Sequence, residues 1–160
     1  TGQYLKGGYR GIASAADLIK RYNPQMAILM LGTNDGNGNV PPAKAAENVE
    51  AILKLLLDNG TVPVLSTIPP CVKFDAEKYN SLYRELAQKH SIPMIDLYKD
   101  MMALAGENWK TQLISGDGVH LTHKLSGAAP TKENLANCGY LLRCVNAVRK
   151  IKEVRDNVFK

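Results

Sequence analysis

The sequence contains no long hydrophobic run, and it has few cysteine, histidine and aromatic residues. A helix that crosses a bilayer needs about 20 consecutive apolar residues, so a membrane span is excluded. The three cysteines (Cys71, Cys138, Cys144) have no CxxC or other metal-binding spacing, and an odd number cannot pair completely within one chain. The three dispersed histidines do not form a ligand cluster, so we expect neither a metal nor another cofactor.

Aromatic residues make up only 6% of the chain, although its net charge is +5. Many of the basic residues lie near the C-terminus, namely Arg143, Arg149, Lys150, Lys152, Arg155 and Lys160. A nucleic-acid-binding surface would combine such charge with interleaved aromatic residues or a known reading motif, and the sequence has neither. We interpret the basic residues as a solvated helix face and expect no nucleic-acid partner.

The 160 residues are enough for one domain with a real core, and no repeat or linker divides them. Residues 1–11 contain four glycines and no apolar alternation, which predicts a loop. Ser14 is predicted to cap a helix that extends to Tyr22, with Leu18 and Ile19 facing inward.

Helices and strands are then predicted to alternate. The apolar run "MAILML" at residues 26–31 is typical of a strand buried on both faces, and further strands are predicted near residues 62–68 and 92–96. Helices are predicted over residues 43–59, 75–90 and 98–104, and a last helix from about residue 131 towards the C-terminus. This order favours a parallel α/β sheet.

Two of these helices have a clear apolar stripe. The stripe of the helix at 43–59 consists of Val49, Ile52, Leu53, Leu56 and Leu57. The stripe of the last helix consists of Leu135, Cys138, Leu142, Val145, Val148 and Ile151. Both stripes are expected to face the core.

The segment "LGTNDGNG" places Asn34 and Asp35 directly after the first apolar strand. Ligands of open parallel sheets bind beyond the carboxyl ends of the strands, so this is a position for functional groups. However, Gly, Asn and Asp are also the common turn residues, and the motif alone favours a simple turn.

A second polar segment, "GDGVHLT", places Asp117 three residues before His120. A carboxylate at this spacing can fold back, accept a hydrogen bond from the imidazole and leave the other ring nitrogen free as a general base. Alone, the pair is equally compatible with two solvated side chains. Both motifs together, in this order on an α/β pattern, favour a functional site.

With these motifs the chain resembles the SGNH, or GDSL-type, hydrolases. These esterases and acetylesterases have a three-layer α/β sandwich with a parallel sheet, of flavodoxin-like or SGNH-like type. "GTND" resembles their third sequence block, "DGVH" their last, and "GGYRGIAS" a weakened second block.

The resemblance implies roles for individual residues. His120 would be the general base and Asp117 its orienting partner. Asn34 would donate to the oxyanion, together with the backbone N–H of Gly11 or, alternatively, of Gly8. Asp35 would brace the loop through backbone hydrogen bonds.

The first block of the family, an apolar strand that ends in Gly-Asp-Ser, is absent from these residues. The resemblance implies a nucleophilic serine upstream of Thr1, so residues 1–160 are interpreted as one N-terminally incomplete domain. Ser14 is interpreted as a helix cap, Ser66 as a strand-end residue, and Ser115 and Ser126 as turn residues. Without that strand, the strand at 26–31 would have an exposed apolar edge, which is expected to favour self-association.

Three hypotheses follow. The first is an ester hydrolase that acts on short acyl esters, such as O-acetylated carbohydrates, with the 160 residues alone poorly active. The second is a non-catalytic binding or interaction module on the same fold that has lost the nucleophile. The third, a nucleotide-binding α/β domain, is disfavoured because no Gly-rich phosphate loop follows a strand.

Overall fold

A three-stranded parallel sheet forms the centre of the fold. The computed structural model describes residues 1–159, except for the side chain of Tyr9. The strands are β1 (Met26–Leu29), β2 (Val62–Ser66) and β3 (Met94–Ile95), in the spatial order β1-β2-β3. Both pairings are parallel. The predicted parallel α/β arrangement is therefore confirmed.

Helices cover much of the remaining chain. Within residues 1–159 they are α1 (Gly2–Lys6), α2 (Ala15–Tyr22), α3 (Thr33–Asn37), α4 (Pro42–Asp58), α5 (Glu77–Lys89), α6 (Leu97–Ala105), α7 (Trp109–Gln112), α8 (Lys132–Ala136) and α9 (Gly139–Val158). In this part of the chain, no helix is long and apolar enough to cross a membrane.

The sheet separates two apolar cores. On one face, Leu29 and Leu65 belong to a core with buried side chains of α4 and α5, such as Leu53. On the other face, Val64 packs in a core with α6, α8 and α9, for example with Leu142. Helices therefore cover both faces, and the predicted three-layer sandwich is confirmed.

The N-terminal segment differs from the predicted loop. It forms α1 and a 3-10 turn at Tyr9–Gly11. The hydroxyl group of Thr1 is hydrogen-bonded to Asp35, and Leu5 packs against the core. These tertiary contacts order a segment whose glycines would otherwise favour an irregular chain.

The start of α2 agrees with the sequence pattern. The Ser14 hydroxyl accepts a hydrogen bond from the backbone N–H of Asp17 at 3.1 Å, as a helix cap should. Leu18 and Ile19 are half-buried. The predicted capping role of Ser14 is confirmed.

The last predicted helix is interrupted between α8 and α9. Cys138 is extended there, with φ −147° and ψ 106°. The backbone N–H of Gly139 donates to the Thr122 hydroxyl, and the N–H of Tyr140 donates to the Thr122 carbonyl, both at 3.0 Å. Thr122 therefore satisfies backbone groups at the start of a new helix.

The buried face of the C-terminal helix differs in part from the predicted stripe. Val148 and Ile151, predicted to face the core, are 66% and 43% exposed, whereas Asn146 and Val154 are buried. Leu142 and Val145, which also follow the break, do face the core as predicted. The predicted stripe continued in steps of three residues, and such steps drift away from the core face of a helix with 3.6 residues per turn. In α4, Leu57 is also exposed because it lies at the margin of the stripe and at the helix end.

Strand β1 lies at the edge of the sheet. Ile28 is 38% exposed, so the prediction that this strand is buried on both faces is wrong. The reason is that, within residues 1–159, β1 has a neighbouring strand only on the β2 side. Its free side borders an apolar groove of about 570 Å³ between α2 and α9, lined by residues such as Leu18, Ile28 and Ala147. We call this the edge groove.

Candidate active site

The first part of the site is the turn that follows β1. Gly32 has a φ of 124°, a conformation that essentially only glycine adopts without strain. A Cβ atom at this position would lie 2.4 Å from the hydroxyl oxygen of Tyr83. After this glycine, α3 begins, with the side chain of Asn34 exposed and that of Asp35 buried.

Asp35 fixes this turn to the N-terminal segment. The nitrogen and the hydroxyl group of Thr1 donate to the two carboxylate oxygens of Asp35, at 2.6 and 2.8 Å. The Asn48 amide donates in turn to the Thr1 hydroxyl oxygen at 3.0 Å. Asp35 also braces the turn through its backbone, because its carbonyl accepts a hydrogen bond from the N–H of Val40 at 2.9 Å. Sequence reasoning did not predict that its carboxylate would in addition bind Thr1.

Aromatic rings pack beneath the same turn. The Tyr83 hydroxyl is buried and has no hydrogen-bond partner among the described residues. Its burial, with a smaller effect of the nearby Asp35 charge, raises the pKa of Tyr83 far above the usual value. The ring of Phe74 occupies the space that a Cβ atom on Gly36 would need, with a closest distance of 2.3 Å. The backbone that presents Asn34 therefore has little freedom to move.

The second part of the site is the loop that contains Asp117 and His120. An antiparallel bridge between Ile114 and Leu121 closes the loop. One oxygen of Asp117 accepts hydrogen bonds from the backbone N–H groups of Val119 and His120, at 2.9 and 3.0 Å. The other lies 2.5 Å from Nδ1 of His120, which is the contact that the spacing predicted.

These contacts determine the charge state of Asp117. The pKa of Asp117 is held well below its usual range by these hydrogen bonds. The contact with the His120 side chain has the largest effect, followed by those with the two backbone N–H groups. Asp117 is therefore ionised at neutral pH. Because its carboxylate occupies Nδ1, a neutral His120 ring with its proton on Nδ1 has a free lone pair on Nε2.

The two parts meet in one cleft of about 480 Å³, which we call the site cleft. Asn34 and His120 both line it, with Asp117 behind His120. Gly11 is not among the lining residues. It lies in the exposed 3-10 turn with a φ of 75°. The structure thus brings together three of the four predicted site residues.

The serines of the described residues lie elsewhere. Ser66 is buried and donates to the Thr67 carbonyl, while the Ser115 hydroxyl donates to the Leu121 carbonyl. Ser14 caps α2. Within the described chain, no serine lines the site cleft. In the same residues, no three His, Cys, Asp or Glu side chains are grouped so that they could bind a metal ion.

Sequence reasoning missed several other residues of the site cleft, among them Thr1, Tyr140 and Arg143. The contact of Thr1 with Asp35 spans 34 positions and leaves no local signal. Tyr140 and Arg143 are three residues apart, so they share one face of a helix. That face could have been recognised only if the helix start at Gly139 had been known.

The parallel α/β fold, the Asn34 turn and the Asp117–His120 pair agree with the class that the sequence resembles, the GDSL-type hydrolases. Residues 5–125 match the model of the GDSL-like lipase/acylhydrolase family. The chain belongs to this family.

Individual relatives are distant. The chain is 23% identical over 113 residues to an arylesterase of Vibrio mimicus, which covers 69% of this chain and 54% of that protein. It is 24% identical over 114 residues to thioesterase 1/protease 1/lysophospholipase L1 of Escherichia coli K12, covering 69% of this chain and 52% of that protein. The chain thus matches about half the length of these relatives.

A solved structure supports the fold. The crystal structure of a carbohydrate esterase family 3 protein from Talaromyces cellulolyticus superimposes with a TM-score of 0.62 at 18% sequence identity. The match covers 92% of this chain and 67% of that one.

Proposed function

We propose that the chain carries the oxyanion-binding and proton-transfer groups of an ester hydrolase. The observation that supports this most strongly is the site cleft itself. It is lined by an exposed amide, Asn34, and an exposed imidazole, His120, whose Nδ1 contacts the Asp117 carboxylate. An amide donor and an oriented base in one cleft are the groups that acyl transfer requires.

The reaction begins when a serine hydroxyl oxygen attacks the carbonyl carbon of the ester. His120 accepts the hydroxyl proton at Nε2, and Asp117 stabilises the resulting imidazolium. The carbonyl electrons move to oxygen, and the Asn34 amide donates a hydrogen bond to this oxyanion. The intermediate then expels the alcohol, which takes the proton from His120. Water repeats the sequence on the acyl-enzyme and releases the acid.

The family resemblance also implies that the backbone N–H of Gly11 is a second oxyanion donor. Gly11 lies in an exposed turn and does not line the site cleft. Asn34 is thus the donor that the geometry supports.

We propose further that the nucleophilic serine comes from a Gly-Asp-Ser strand outside these 160 residues, seated in the edge groove. The edge groove and the site cleft share Tyr4, Met30, Leu31 and Arg143 as lining residues. Strand β1 leads directly to Gly32 and Asn34. A strand paired in parallel with the free side of β1 would therefore end at the site cleft.

Short acyl esters are the proposed substrates, and an acetyl group on a carbohydrate is one example. The names of the relatives, an arylesterase and a thioesterase/lysophospholipase, support ester or thioester cleavage. The superimposed carbohydrate esterase supports a carbohydrate as the alcohol part.

The test is to fuse an apolar strand that ends in Gly-Asp-Ser to the N-terminus and to measure hydrolysis of 4-nitrophenyl acetate. A matched fusion that ends in Gly-Asp-Ala is the control. Without a nucleophile, only the roughly 10³- to 10⁴-fold acceleration over water by binding and the oxyanion hole remains. We expect the serine fusion to exceed the alanine fusion by far more than tenfold and by up to about 10⁶-fold, the loss in kcat when a serine hydrolase loses its nucleophile.

Equal turnover by the two fusions would contradict the proposal. So would ordinary enzyme rates of the unmodified chain that Ser14→Ala abolishes. A second candidate function, a non-catalytic binding module, is favoured by the absence of serine from the site cleft among the described residues. It predicts that neither fusion has activity while the site cleft still binds small ligands.

A further inference from the structure

Arg143 occupies a distinctive position at the junction of the two cavities. It lies in the second turn of α9 and lines both the site cleft and the edge groove. Its guanidinium carbon is 5.8 Å from the centre of the Tyr140 ring, within the range of a cation–π contact. Because Tyr140 also lines the site cleft, this contact holds the cation at the cleft wall.

The carboxylates around the site cleft are already paired. Asp35 accepts hydrogen bonds from the nitrogen and the hydroxyl group of Thr1. Asp117 accepts them from two backbone N–H groups and lies against His120. In contrast, no carboxylate oxygen of the described residues lies within 4 Å of the Arg143 guanidinium. Among the described residues, the Arg143 cation therefore has no carboxylate partner in the site cleft, which Asn34 and His120 also line.

We propose that Arg143 binds a carboxylate on the substrate, so that the site cleft prefers substrates with a carboxylate group near the scissile carbonyl. A guanidinium presents parallel N–H donors that match the two oxygens of a carboxylate. This specificity rests on the proposed ester hydrolysis, but the binding of the anion does not depend on turnover.

The test uses a pair of amides that differ in one group. Succinamate and butyramide have the same carbonyl group and chain length, but only succinamate ends in a carboxylate. Binding of each to the unmodified 160-residue chain is followed by NMR titration at constant ionic strength. A charge-assisted hydrogen bond of this kind corresponds to about a tenfold gain in affinity, so we expect succinamate to bind about tenfold more tightly.

Variants assign this preference to a residue. Arg143→Gln should abolish it, and Arg143→Lys, which keeps the charge but loses the paired donors, should retain only part of it. Arg149→Gln is the matched control because Arg149 lies on the same helix, is exposed and lines neither cavity. It should retain the full preference.

Equal affinity for the two amides would overturn the proposal, as would a preference that survives Arg143→Gln. A third ligand, 3-phosphonopropanamide, tests whether Arg143 prefers a phosphonate to a carboxylate. If only this phosphonate binds in an Arg143-dependent manner, the carboxylate preference is wrong. If succinamate binding depends on Arg143 but the serine fusion is inactive, the anion site stands and the proposed hydrolysis fails.

Discussion

At the scale of single residues, the presentation of Asn34 depends on the absence of a side chain at Gly32. The positive φ and the nearby Tyr83 hydroxyl both act against any larger residue. The sequence motif alone indicated a turn, but it could not reveal the ring below it. The Tyr83 hydroxyl is also buried without a partner in the described chain, so its removal should cost little.

Gly32→Ala should therefore destabilise the protein by about 2 kcal/mol or more, since overpacking and an unfavourable φ add. Tyr83→Phe should leave stability nearly unchanged and should recover part of the loss in the double variant, because it removes the atom nearest to the new methyl group. Chemical denaturation of the four proteins gives this coupling. Gly116→Ala, which meets no atom within 4 Å, is the control. Purely additive effects would refute the contact.

At the scale of elements, apolar periodicity was sufficient to predict the helix and strand types of the sheet and the helices that flank it. It could not predict where α9 begins, because that start depends on hydrogen bonds to Thr122, 17 residues before Gly139. Likewise, α1 depends on the contact of Thr1 with Asp35. In both cases a hydrogen bond to a residue distant in the sequence determines the local structure, so the local sequence pattern could not predict it.

One pair of elements is joined by a carboxylate. The Oε1 atom of Glu50, on α4, lies 2.8 Å from Nζ of Lys89 and 2.9 Å from Nε2 of His90. Lys89 and His90 lie at the end of α5. These hydrogen bonds, that of Lys89 being the largest cause, lower the pKa of Glu50 to about 2. A carboxyl group with a lowered pKa in the folded state stabilises the fold above its ordinary pKa, and this stabilisation is lost as the pH falls towards 2.

Glu50→Gln should accordingly lower the free energy of unfolding by about 1 kcal/mol at pH 6, the upper range for a partly exposed pair. The difference from the unmodified protein should shrink below pH 4.5 and disappear near pH 2. Urea denaturation at several pH values measures it. Glu47→Gln, on the same helix and paired only with exposed Lys44, should have a smaller effect. A difference that is independent of pH would show that the ionisation of Glu50 does not stabilise the fold.

At the scale of the whole molecule, the free side of β1 is the least complete part of the fold. Sequence reasoning predicted this exposed edge from the missing first block. It could not predict that the edge groove would continue into the site cleft, because that continuity depends on how α2 and α9 flank the sheet. The oxyanion role of Asn34 came from the family resemblance, whereas the spacing of Asp117 and His120 itself indicated an oriented base. These roles remain predictions.

An open apolar edge should make the chain associate with itself as its concentration rises. Ile28→Lys should reduce this association, because a charge on an edge strand opposes pairing with another strand. Val148→Lys is the control, since Val148 is 66% exposed on α9 and does not line the edge groove. Sedimentation velocity over a concentration series is the measurement. Equal effects of the two substitutions would exclude the edge as the contact.

The proposed site depends above all on His120 as the base of ester hydrolysis. The decisive measurement is the kcat of the Gly-Asp-Ser fusion on 4-nitrophenyl acetate after His120→Ala, with His123→Ala as the matched control. His123 is exposed two residues beyond the bridge that closes the His120 loop, and it does not line the site cleft. We predict that His120→Ala lowers kcat by about 10²- to 10⁴-fold, as expected for the loss of a general base, whereas His123→Ala changes it little. Comparable losses in the two variants, or full activity without His120, would show that His120 is not the base.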